Sequence, residues 1–394
     1  MKNNLIPKTS MFRTASLLKR SARGARLFAT LLFMSAFLLS CDQIPGLSDV
    51  IPGTGKDTAS EADKIKPDGP NPEWGPDIDP QMLAVIEQFQ SYHVTPYNEL
   101  TADQAREEPN FHTALVDLLN KNNISPEPAN VTIKNMTIPN GTDQGLLVRT
   151  YTPKSGTGPF PVIVYYHGGG WVIANLNTYA PSASALAEKT GAIVVSVAYR
   201  QAPEHKFPTA HEDAFAAYKW ILEHAAEING NPAKVATAGE SAGGNLSVAV
   251  ALMAKERGVA LPVHVLSVYP IADGDIESPT YEQYKKALFL NKPLMKWFLD
   301  LYVPNWQTET NPLISLIHAD LSGLPETTII NAELDPLRYE GGQLAEQLQA
   351  AGVPVQRKVY NGVTHEFFGM NALLNQAVDA QNFAAQRLKA AFRK

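Results

Sequence analysis

The sequence predicts an α/β protein built on a mostly parallel, doubly wound sheet, and three observations carry that expectation. Past residue 130, short runs of β-branched and aromatic residues alternate with segments of helical spacing. One of these runs, Val162–Tyr166, stops at His167-Gly168-Gly169-Gly170, three glycines directly after an element that has every reason to be buried. Another, Val235–Ala238, leads into Gly239-Glu240-Ser241-Ala242-Gly243 and then at once into a helical pattern.

The chain opens on an element of a different kind. Residues 1–41 hold seven basic side chains and no acidic one, and Leu27–Leu39 is a 13-residue apolar stretch. That is short for a bilayer span but suits the apolar region of an export signal. The stretch ends Leu38-Leu39-Ser40-Cys41, which resembles the bacterial lipobox. The resemblance implies a lipoprotein-type signal peptide over 1–40, Cys41 as the lipid attachment site, and a protein held to a membrane on the exported side of a bacterial cell envelope. Met11 is an alternative start, because the charged region before the apolar stretch is long. Cys41 is the only cysteine, so no internal disulfide exists. Residues 41–78 are rich in proline, glycine and acidic side chains without an apolar period, and are expected to form a flexible tether of roughly 35 Å reach. Removing the seven amino-terminal basic residues from 33 leaves 26 against 39 acidic ones, so the remainder of the chain is acidic and a nucleic-acid partner is excluded.

From residue 79 to 394 the pattern is that of one folded domain. Met82, Leu83, Ile86 and Phe89 share a helix face; a second helix over Thr101–Glu108 starts at a Thr-Ala-Asp-Gln cap, and a third covers Phe111–Asn120. Strands are expected at Val131–Ile138, Leu146–Tyr151, Val162–Tyr166, Ile193–Tyr199, Val235–Ala238, Val263–Tyr269, Thr327–Asn331 and Val355–Val359. Helices at Ala180–Lys189, His211–His224, Asn245–Arg257 and Gly341–Ala351 separate most of the later ones. The alternation breaks at about 278–322, an aromatic-rich insertion holding Tyr281, Tyr284, Phe289, Trp297, Phe298, Tyr302 and Trp306.

The chemistry starts at Ser241. Glycines two residues to either side let a strand turn sharply into a helix and hold the serine in strained geometry at the sheet edge, beside the positive end of that helix. A serine hydroxyl is a poor nucleophile unless a base takes its proton and a third group orients that base. On such an elbow the acid and the histidine follow the serine in the chain. His264 sits inside an apolar strand and reads as a packed residue, and His318 lies in the insertion. His365 lies on a loop after a strand and is the expected base, with Asp335 directly after the preceding strand as its acid and Asp273 as the competitor. The glycine run then acquires a purpose. The tetrahedral intermediate needs hydrogen-bond donors, and Gly168, Gly169 and Ala242 can present bare amides to its oxygen. No motif for a cofactor or a metal is present.

Together, His-Gly-Gly-Gly-Trp (167–171), Tyr-Arg-Gln-Ala-Pro-Glu (199–204), Gly-Glu-Ser-Ala-Gly-Gly-Asn (239–245), Asp-Pro-Leu-Arg (335–338) and His-Glu-Phe-Phe-Gly (365–369) resemble the hormone-sensitive-lipase-like carboxylesterases of the α/β-hydrolase fold. The resemblance implies a Ser241–Asp335–His365 triad, an oxyanion hole of Gly168, Gly169 and Ala242, and a helical cap formed by about 79–125 and 278–322. It implies hydrolysis of short- to medium-chain carboxylic esters through an acyl-enzyme. Amide hydrolysis or deacetylation with the same triad is the nearest alternative; a non-catalytic binding shell is the other, although such shells usually lack a triad member. Glu240, Ala198, Asn177 and Tyr179 stand where the family commonly has aspartate, aspartate, aspartate and histidine, and the last three bear on substrate preference.

Overall fold

A computed structural model describes residues 64–308 and 311–394; the expected signal peptide, Cys41 and the tether up to residue 63 lie outside these residues. The end of the expected tether belongs to the folded body. Ile65 and Ile78 are buried, Trp74 packs on the same core, and the amides of Asp68 and Gly69 each donate to the Glu87 carboxylate at 2.7 Å. Isolated apolar residues among prolines show no period, which is why this stretch reads as unstructured in the sequence.

Next come α1 (Pro80–Gln90), α2 (Ala102–Glu107) and α3 (Phe111–Lys121). Asp79 caps α1 by accepting from the amides of Gln81 and Met82, and Thr101 forms the expected capping box with Gln104. The sheet begins with β1 (Val131–Ile138), β2 (Leu146–Pro153) and β3 (Phe160–Tyr166). Then follow α4 (Ala180–Thr190), β4 (Ile193–Val197), α5 (Thr209–His224), β5 (Gly230–Glu240), α6 (Ala242–Glu256) and β6 (Val265–Val268). The insertion supplies α7 (Pro279–Gln283) and α8 (Lys292–Tyr302), before β7 (Thr327–Leu334), α9 (Arg338–Ala350), β8 (Val355–Thr364) and α10 (Asn375–Phe392). Sequence periodicity does not announce α10, whose buried side is mostly alanine.

The eight strands run in the order β1-β2-β4-β3-β5-β6-β7-β8. β1 and β2 are antiparallel, as are β2 and β4, and every later pairing is parallel. Alternate residues of each strand feed opposite faces. In β3, Phe160, Val162, Val164 and Tyr166 join a core with α5, α6 and α8, while Ile163 and Tyr165 join one with α1, α3, α4 and α10.

Strand order reverses at β3, between β4 and β5, the crevice where doubly wound sheets place their ligands. Register then decides which loops meet. Tyr166 pairs with Gly239, so the glycine run and Ser241 leave neighbouring strands at one level. Leu334 pairs with Thr364, so Asp335 and His365 do the same on β7 and β8.

The closest steric fit lies at Gly243 in the first turn of α6, where a Cβ would stand 1.9 Å from the carbonyl oxygen of Tyr166. Gly243→Ala therefore forces α6 away from β3. A loss of about 3 kcal/mol or more is expected, the upper end of overpacking costs, read as a lower denaturant midpoint at unchanged slope.

Candidate active site

Ser241 is the single residue between β5 and α6, with φ 56° and ψ −118°. That positive φ is strained for a residue with a Cβ, and the surroundings hold it there. The Ser241 amide donates to Val268 O at 2.9 Å, and its carbonyl accepts from the amides of Asn245 and Ile271. A Cβ on Gly239 would lie 2.1 Å from Gly243 O, so glycine is required on both sides of the turn. Asn245 ties the start of α6 to two other segments by donating to Ile271 O at 3.0 Å and Ile314 O at 3.1 Å.

Asp335 and His365 meet as their register demands. His365 Nδ1 donates to Asp335 Oδ2 at 2.8 Å, while Asp335 Oδ1 accepts from the Leu337 amide at 2.9 Å. Asp335 is fully buried, and the Nε2 atom of His365 has no hydrogen-bond partner among the described residues. Asp273 lies elsewhere, 4.0 Å from His318. His264 is a core residue whose Nε2 is 2.9 Å from Thr328 Oγ1.

The glycine run is packed from three sides. A Cβ at Gly168 would be 2.2 Å from the Tyr179 hydroxyl, and one at Gly170 would fall 2.1 Å from the Phe298 ring of α8. Gly169 has φ +98°. No hydrogen bond from the amides of Gly168 or Gly169 to another described residue is formed. Ala242 is the first residue of α6, where helix amides lack intrahelical partners. Tyr199 fixes the loop by donating to His167 O at 2.8 Å and stacking on the His167 ring at 4.3 Å.

A family model described as alpha/beta hydrolase fold matches residues 163–369, more than half of the chain. The chain belongs to the α/β-hydrolase family. A carboxylesterase of Mycobacterium tuberculosis is 39% identical over 62% of this chain and 78% of its own length. An arylesterase of Saccharolobus solfataricus is 37% identical over 58% of this chain and 74% of its own. The solved esterase of Pyrobaculum calidifontis superposes with a TM-score of 0.70 at 34% identity, covering 79% of this chain and 98% of that one. These relatives support the hormone-sensitive-lipase-like branch that the motifs resemble.

Ser241 and His365 line one cavity of about 70 Å³ in this α/β-hydrolase. Gly169, Gly170, Phe89, Tyr97, Phe289 and Phe298 complete much of its wall, so both halves of the expected cap reach the site. Two residues at the site are not singled out by the sequence: Arg106, which carries no signal, and Glu366, which sits within the 365–369 motif. Arg106 of α2 donates to Val172 O and Ala202 O at 2.9 and 2.7 Å and grips Glu204 through both terminal nitrogens, tying cap, glycine loop and the 199–204 motif together. Glu366 follows His365 with φ 77° and borders the cavity. Both its oxygens lie 2.8 Å from the Tyr179 hydroxyl, and Oε1 is 4.0 Å from His365 Nε2.

Burial would lower the pKa of His365, but the charges of Asp335, Glu366 and Glu240 outweigh it and raise the pKa above the ordinary imidazole value. Burial pushes Glu366 up to about 7, against the opposing pull of His365 and the Tyr179 hydrogen bond. Glu240, next to Ser241 in the chain, is also raised by burial and accepts from the hydroxyls of Tyr165 and Tyr269. Burial holds His167 down at about 4, and its Nδ1 donates to Gly168 O at 2.7 Å as a neutral ring.

The groups facing His365 are thus Asp335, Glu366 and Glu240, with the Tyr269 ring 4.5 Å from the imidazole. Glu366→Gln removes one negative charge while keeping the shape. The His365 pKa, followed by NMR titration of its ring nitrogens, is expected to fall relative to the parent protein, and an unchanged value would show that Glu366 does not act on the imidazole.

Proposed function

We propose that the protein is a serine carboxylic-ester hydrolase acting through an acyl-enzyme on short- to medium-chain esters. The observation that carries this reading is the His365–Asp335 hydrogen bond of 2.8 Å at a cavity shared with the strained Ser241, with Nε2 left unpaired. In this reading His365 Nε2 takes the hydroxyl proton as Ser241 Oγ attacks the ester carbonyl carbon. The amides of Gly168, Gly169 and Ala242 receive the negative oxygen, each donor worth on the order of 10²–10³ in rate. The imidazolium gives its proton to the departing alcohol, and a water activated by the same histidine then releases the acid. Relatives named as carboxylesterase, arylesterase and ethyl acetate hydrolase favour esters over amides.

We propose further that Cys41 carries a lipid anchor in a bacterial cell envelope. The lipobox-like Leu38-Leu39-Ser40-Cys41 and the basic, apolar segment before it support this reading. No helix among the described residues is long and apolar enough to cross a membrane. Two or more acyl chains give stable attachment, at about 0.8 kcal/mol per buried methylene.

Three expected outcomes test these roles. Ser241→Ala abolishes turnover of a nitrophenyl ester while the circular dichroism spectrum is retained; activity within tenfold of the parent would remove Ser241 from its role. Asp335→Asn lowers kcat by at least roughly 10², about 2.7 kcal/mol of transition-state stabilisation, with KM little changed, whereas Asp273→Asn stays within a few-fold. The reverse pattern would move the acid to Asp273. Cys41→Ala abolishes metabolic labelling by a palmitate analogue and leaves the protein uncleaved or released; absence of label on the parent protein would refute the anchor.

A further inference from the structure

A second cavity of about 260 Å³ adjoins the one that holds Ser241. The two share Phe89, Tyr97, Phe289 and Leu294, so the same side chains form the near wall of one and the far wall of the other. Phe89 comes from α1 and Phe289 from the segment before α8; their rings meet edge to face with centroids 5.2 Å apart. Phe111 of α3 backs Phe289 at 6.0 Å, and Tyr97 meets Phe89 at 6.4 Å. The residues shared by the two chambers come from both parts of the cap. Beyond them, Val94, Pro96 and Leu288 give the second cavity apolar surface, beside polar side chains that include His93, Asn98 and Asn291. Joined, chambers of about 70 and 260 Å³ would reach the roughly 300 Å³ at which small-molecule sites begin.

We propose that the Phe89–Phe289 contact is the length stop for the aliphatic chain of the ester, and that the second cavity is a chain chamber which this contact closes off. The inference rests on the serine-esterase reading of the same site and names its substrate limit. Short esters are favoured because two side chains block a space that already exists. A methylene that gains apolar surroundings contributes about fourfold in kcat/KM, so opening the wall has a measurable sign.

The experiment compares the parent with Phe289→Ala on two series, p-nitrophenyl acetate against octanoate and methyl against octyl acetate. The readout is the long-to-short ratio of kcat/KM, which does not depend on how much activity the variant keeps. The ratio is expected to rise at least tenfold in one series, and the series that responds identifies whether the acyl or the alkoxy chain enters. Adding Val94→Trp, a position that lines only the second cavity, is expected to bring the ratio back to within threefold of the parent. An unmoved ratio in both series, or a rise that Val94→Trp does not reverse, overturns the length stop while the esterase reading stands. No hydrolysis of any of the four esters by the parent overturns both. Should Phe289→Ala fail to fold, Phe89→Leu carries the same test.

Discussion

The rest of the structure depends on the conformation of Ser241. A side chain at φ 56° and ψ −118° is unfavourable by itself, on the order of 1–3 kcal/mol, and persists only where the surroundings leave no alternative. Those surroundings are backbone against backbone. The Gly243 Cα rests on the Tyr166 carbonyl so closely that even a methyl group is excluded, and the Ser241 amide is bound by Val268 of the next strand. Three adjacent parallel strands thus fix one residue. The consequence is geometric, because this turn places Ser241 on the cavity wall immediately before the first residue of α6, where helix amides lack intrahelical partners.

Around this point the protein buries three carboxyl groups, and the way it does so explains the tyrosines. Glu240, Asp335 and Glu366 are all buried, yet each has donors: Tyr165 and Tyr269 for Glu240, the Leu337 amide and His365 for Asp335, and Tyr179 for Glu366. A buried carboxylate without such partners would be costly. Tyrosine satisfies it with an apolar ring and one hydroxyl, and burial pushes these hydroxyls well above their ordinary pKa, so they remain neutral donors. The remaining negative field falls on one imidazole. That field favours the charged form of His365.

Much of this was legible in the sequence because the decisive features are local. The strand-turn-helix around Ser241, the glycine run after β3 and the loops carrying Asp335 and His365 each occupy a few consecutive residues, and all eight expected strands occur with shifts mainly at their ends. The choice of Asp335 over Asp273 rested on chain geometry and on the family resemblance, and the Leu334–Thr364 register supplies a physical reason for it. What was hidden is what acts across distance. Arg106 looks like any helical surface arginine until its partners 66 to 98 residues away are seen. Ile65 and Ile78 are disguised by the prolines around them. Of the aromatics in the insertion, only geometry separates Phe289 and Phe298, which line the cavity, from Tyr281 and Tyr302, which are fully buried.

The departures from the family pattern are connected through packing. Tyr179 stands where histidine is frequent, and its hydroxyl lies where a Cβ of residue 168 would need to be, 2.2 Å from that position. The same hydroxyl is held 2.8 Å from both oxygens of Glu366, the residue after the histidine. Gly168 is therefore required for two reasons: its bare backbone leaves the amide accessible, and it leaves room for the tyrosine that anchors Glu366. A histidine at position 179 would place its nitrogen closer to its own Cα than the tyrosine oxygen reaches, and would leave Glu366 without this donor at the same backbone position. Glu366 would then have to be protonated or hydrated beside His365, which changes the charge on the imidazole. The tyrosine at 179 and the carboxylate at 366 thus form one physical unit, linking the glycine loop to the side chain that lies 4.0 Å from His365 Nε2.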